Sequence, residues 1–162
     1  RRWDYEFLYF ALESSDENLI NVTSRLEHEE LGKQYFYAVI DWKHMCNETT
    51  RFQGKAYFSQ SGRDEDYRVL PYNIPNISFE VFFGQYYKQL IHSELGNCSN
   101  LPTFDEFALF CKKATFVFNK CRPSMNAFPE MLPRGYYKIV FQIIGEAVLT
   151  FSAITKVVPI DL

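Results

Sequence analysis

Apolar and polar residues alternate with a period of two through most of this chain, the pattern of strands with one face buried and one face wet. The clearest case is Phe52, Gly54, Ala56 and Phe58, which interleave with Gln53, Lys55, Tyr57 and Ser59. Phe36, Ala38, Ile40 and Trp42 share one side of 34–43, with Tyr35, Tyr37, Val39 and Asp41 on the other. Phe116 and Phe118 oppose Thr115, Val117 and Asn119 within 114–120. The first strand, 3–12, carries Tyr5, Phe7 and Tyr9 on one side and Glu6, Leu8 and Phe10 on the other, rich enough to be buried on both faces. The chain closes on a hairpin of 136–144 and 147–158 about Gly145-Glu146, a Gly-x connection suited to a tight turn.

The period changes once. Phe79, Phe82, Phe83, Tyr86, Leu90 and Ile91 fall at helical spacing between Ser78, an N-cap residue type, and Gly96, a helix stop. The segment 18–25 and a short strand at 67–70 complete the pattern, while Pro71 and Pro75 break regular structure between that strand and the helix. The fold class is therefore mainly β: an antiparallel β-cup or sandwich with one principal α-helix over about 78–95. With 162 residues and no internal repeat or linker, the expected organisation is one domain spanning 1–162.

Several function classes are excluded by composition. A net charge of -3 and the absence of a basic run give a phosphate backbone nothing to follow, so nucleic acid is not an expected partner. His28, His44 and His92 are scattered without ligand spacing, and there is neither a phosphate loop nor a nucleophile elbow. Asp64, Glu65 and Asp66 sit in a turn and read as solvated charge. No enzyme activity, metal or cofactor is expected.

Compartment is read from Asn and Cys. The acceptor pattern Asn-x-Ser/Thr occurs at Asn21, Asn47, Asn76 and, with a middle Cys, at Asn97, where composition predicts about one by chance. Cys46, Cys98, Cys111 and Cys121 form an even set without C-x-x-C pairs, which suits two disulfides in any of three pairings. The expectation is a secreted, extracellular glycoprotein whose signal peptide is cleaved, with Asn21, Asn47 and Asn76 as glycosylation sites.

Aromatic residues make up 18% of the chain, enough for either an aromatic core or the wall of a cavity. Composition by itself favours the core, since protein interiors are close-packed.

Four stretches shift that balance: Tyr67-Arg68-Val69-Leu70-Pro71-Tyr72-Asn73-Ile74-Pro75, Phe83-Gly84-Gln85-Tyr86-Tyr87-Lys88, Cys98-Ser99-Asn100-Leu101-Pro102 and Leu132-Pro133-Arg134-Gly135-Tyr136-Tyr137-Lys138. In order and spacing they resemble the insect CheB-type proteins, relatives of the ganglioside activator protein in the ML-type lipid-recognition group. The resemblance covers about 52–158; the first fifty residues match only in strand pattern. It implies a cup of antiparallel strands with an apolar cavity for a lipid chain, a rim that meets membranes or enzymes, and no catalysis. It also implies a Cys98–Cys111 disulfide, which leaves Cys46 with Cys121. The chain departs from its relatives in having Phe82 or Phe83 where they often carry Cys, and in having fewer cysteines than the activator protein.

The leading expectation is a non-enzymatic carrier or presenter of a small apolar ligand (lipid, fatty acid or cuticular hydrocarbon) in secretions or chemosensory fluid. A receptor or other protein and transient membrane contact at the rim are its further partners. Phe36, Ile40, Phe52, Phe58, Phe82, Tyr86, Phe116, Phe118, Phe141 and Phe151 are the candidate ligand-binding wall, and packing is the competing role for each. The alternative is a secreted effector that binds a partner protein through surface aromatics, with a filled or vestigial pocket.

Overall fold

A computed structural model of the chain describes residues 1–106 and 112–160. The strands are β1 (Trp3–Ser14), β2 (Ile20–His28), β3 (Gln34–Trp42), β4 (Arg51–Ser59), β5 (Arg68–Val69), β6 (Ile74–Ser78), β7 (Ala114–Cys121), β8 (Gly135–Ile144) and β9 (Val148–Pro159). They form two antiparallel sheets. The larger runs β1-β9-β8-β4-β5, with β6 also on β4; the smaller runs β2-β3-β7.

Register shows how alternation becomes a wall. Phe7, Thr155, Tyr137 and Phe58 form one inward row across the large sheet, and Phe10, Ala153, Ile139 and Ala56 the next. Leu12, Phe151, Phe141 and Gly54 make a third. Gly54 has a steric role there, because a Cβ at that position would stand 2.7 Å from the Phe141 ring. On the small sheet Phe36, Ala38, Ile40 and Trp42 point the same way as Phe116 and Phe118. Large side chains from both sheets meet between the layers.

Two strand expectations are corrected. β1 is buried on one face only, and a bulge between Phe7 and Tyr9 switches which residues point inward, so Phe10 joins Tyr5 and Phe7 while Leu8 and Tyr9 are exposed. The segment after Pro71 is not wholly irregular. Ile74–Ser78 pairs with β4 as an edge strand with a register shift, where the missing N–H of Pro75 is tolerated.

The helix, α1, spans 79–98, 20 residues. Ser78 caps it, its Oγ accepting from the Val81 N–H at 3.2 Å. It starts as an α-helix at Phe79–Phe82, widens into a π-helix over Phe83–His92, and closes through Ser93–Leu95 and Gly96–Cys98. The i→i+5 bonding of the wide part puts more residues in each turn, so side chains four apart stay in line for longer than on an α-helix. After it comes a short 3-10 turn, Phe104–Glu106; Phe107 and Ala108, whose spacing with Phe104 allows a helical turn, lie outside the described residues.

α1 bridges the two sheets. Its first N–H, that of Phe79, donates to Thr50 O at 2.9 Å beside β4. Its last residue, Cys98, is disulfide-bonded to Cys121 at the end of β7. That bond corrects both expected pairings, Cys98–Cys111 and Cys46–Cys121; Cys111 itself lies outside the described residues. The physical reason is the path of the chain beyond α1. Ser99 bridges to Phe118, and the Asn100 side chain donates to Thr115 O at 2.8 Å and accepts from the Val117 N–H at 2.7 Å, holding Cys98 along the outer edge of β7. The 23-residue separation leads us to expect that replacing both cysteines with Ser lowers stability by about 3 kcal/mol, measurable as a shifted denaturation midpoint. A loss below about 1 kcal/mol would show that the bond does not constrain the chain as placed here.

Candidate functional site

Among the described residues the two sheets meet mainly along β1. β1 lies against β2 and β3, with the Phe7 N–H donating to Gln34 Oε1 at 2.9 Å and the Leu12 N–H to Ser24 Oγ at 3.4 Å. β4 and β8 make no comparable approach to the small sheet. The layers therefore diverge towards β4, and α1 covers the gap.

Two packed clusters result. One gathers Trp3, Tyr5, Phe7, Phe10, Phe36, Trp42, Phe118 and their neighbours between the sheets. The other presses Phe79, Phe82, Phe83 and Tyr87 of α1 onto Phe52 and Ile74, with Phe52 and Phe82 stacked at 3.6 Å. A cavity of about 470 Å³ is lined by members of both, within the size range of small-molecule sites. α1 contributes Phe82, Tyr86, Leu90 and Glu94 at spacing four, and Tyr87, Ile91 and Leu95 likewise.

Of the ten expected wall residues, Ile40, Phe52, Phe82, Tyr86, Phe116, Phe118, Phe141 and Phe151 are brought together on this wall. Phe36 and Phe58 are placed elsewhere. Phe36 is 1% exposed and stacked on Phe10 at 4.1 Å, inside the solid part of the core. Phe58 packs against Tyr137 at 5.1 Å, near the far end of β4.

Sequence reasoning missed one side of the cavity. Pro123, Met125, Ala127, Phe128 and Pro129 belong to an irregular strap after β7 that lines it. β1 and α1 pin this strap. Tyr5 Oη donates to Pro123 O, Trp3 Nε1 donates to Pro129 O at 2.9 Å, and Glu94 accepts from Ser124 Oγ at 2.7 Å and from the Ser124 N–H at 2.6 Å. Burial raises the Tyr5 phenol to about 12, against the opposing pull of Arg122 and Arg1, so it stays a donor at physiological pH. The available signal was the run Pro123, Met125, Phe128 and Pro129, apolar but without period.

Charge is scarce on the wall. Among the described residues the charged members of the lining are Lys55, which is exposed at the surface, and Glu94, which is engaged by Ser124. Pro71, Tyr72 and Asn73 form an exposed margin, Tyr72 being 54% accessible. Among the described residues no cluster of three His, Cys, Asp or Glu side chains could hold a metal, and no helix is long and apolar enough to cross a membrane. The expected glycosylation residues Asn21, Asn47 and Asn76 are exposed, Asn21 on the outer face of the small sheet.

Comparison with known proteins adds a family and no activity. A family model described as a protein of unknown function matches residues 55–139, a span that runs from the second half of β4 through α1, β7 and the strap. No curated protein matches the chain.

Proposed function

The chain belongs to the DUF1091 family, whose description states no activity, and from the cavity itself we propose that it is a secreted, non-enzymatic binding protein that holds a small apolar ligand between its sheets. The observation that carries this reading is the cavity of about 470 Å³, walled by aromatic and aliphatic side chains. Filling such a space with guest methylenes removes about 0.8 kcal/mol of apolar exposure per group, so a chain of a dozen carbons or more supplies ample driving force. The likeness to CheB-type and ganglioside-activator proteins supports the same reading, as do the exposed glycan acceptors and the disulfide for passage through the secretory route.

The test is a titration with N-phenyl-1-naphthylamine, an apolar dye that brightens when dehydrated. Saturable uptake of one dye per chain, reversed by tetradecane, is the expected result. A flat titration would remove the cavity as a binding site and leave action through the outer surface.

A further inference from the structure

Two buried side-chain polar atoms have no hydrogen-bond partner among the described residues, Trp42 Nε1 and Thr155 Oγ1, and both residues line the cavity. They lie at opposite ends of it. Thr155 stands in the row of Phe7, whose backbone is bonded to Gln34 at the start of β3, whereas Trp42 is the last residue of that strand.

The Thr155 position is the more demanding. β9 is an interior strand, flanked by β1 and β8, and Thr155 has Phe7 and Tyr137 as its same-face neighbours. The Tyr137 hydroxyl is already committed to Pro133 O at 2.8 Å. The residue is 4% exposed. A strand backbone offers its hydroxyl no local acceptor, and a buried hydroxyl without a partner is costly. Rotation about χ1 carries Oγ1 between staggered positions, so the hydroxyl can turn towards a guest without moving the strand. Trp42 sits at a strand end and is stacked on His44 at 4.7 Å.

Resting on the binding role proposed above, we propose that the guest carries a neutral oxygen function, such as an ester, ketone or alcohol, which bonds to the Thr155 hydroxyl. Neutrality follows from the wall. No buried cation lines it among the described residues, and a carboxylate taken inside would lose its hydration without a counter-charge.

The test compares tetradecane, methyl tetradecanoate and tetradecanoate as displacers of N-phenyl-1-naphthylamine from the wild-type protein and from Thr155→Val, which replaces the hydroxyl by a methyl group of similar size. The ratio of ester to alkane affinity is expected to fall about tenfold in Thr155→Val, the size of one net hydrogen bond. Thr155→Ala, which removes the hydroxyl with less bulk, is expected to show the same fall and keeps the question answerable if the Val variant does not fold, whereas Thr23→Val, at an exposed position outside the cavity, should keep the wild-type ratio. An unchanged ratio in Thr155→Val or Thr155→Ala, or an equal loss in Thr23→Val, overturns the assignment. So does tetradecanoate binding as tightly as its methyl ester. Dye uptake that is equally reversed by all three ligands contradicts only the Thr155 proposal, whereas absence of dye uptake removes the cavity reading and this one with it.

Discussion

Phe36→Ala is expected to lower the unfolding free energy by about 4 kcal/mol while the protein that remains folded still takes up apolar dye. The ring is 1% exposed and packed on all sides, stacked on Phe10 at 4.1 Å and tilted against Phe7 at 6.1 Å and Phe118 at 6.0 Å. Phe36 and Phe118 come from the small sheet, and Phe7 and Phe10 from β1 of the large one, so truncation opens a hole where the two sheets are joined. Because Phe36 does not line the cavity, its loss acts through stability. Chemical denaturation followed by circular dichroism measures it, and a cost under about 1 kcal/mol would mean that this junction is loosely packed.

Ala153→Phe is expected to have the opposite profile: dye and alkane affinity fall about a hundredfold, with a much smaller change in stability. Ala153 lies in the inward row between Phe10 and Ile139, is 5% exposed and lines the cavity. A phenyl ring there takes the place of about four guest methylenes, each worth about 0.8 kcal/mol, which corresponds to roughly a hundredfold in affinity. Overpacking of a filled core would instead cost about 1–3 kcal/mol of stability. Equal dye affinity in the variant and the parent would show that the guest sits elsewhere.

These two residues also show how far the sequence could be read. Alternation locates both sheets and their inward faces, because register along a strand has a period of two wherever one face is buried. It does not say whether an inward residue meets another side chain or open volume. Phe36 and Phe116 look alike in sequence; they differ because β3 lies against β1 at one end and draws away from the large sheet further on. Tyr5, Phe7 and Leu12 are not legible as wall residues, since the bulge in β1 obscures which of its faces points inward. Pro75 concealed β6, and the Cys98–Cys121 bond depended on how Ser99 and Asn100 follow β7, which no spacing rule encodes. Thr155, a polar residue in an inward position between Ala153 and Val157, is a signal that the sequence does carry.

Native mass spectrometry of the protein recovered under gentle conditions from a eukaryotic secretory host, with glycans trimmed, addresses the binding claim most directly. The account predicts a population heavier than the bare chain by a few hundred daltons, the surplus being shed on denaturation and extractable into organic solvent. Bare chain throughout, together with no gain in mass after incubation with methyl tetradecanoate, would contradict it.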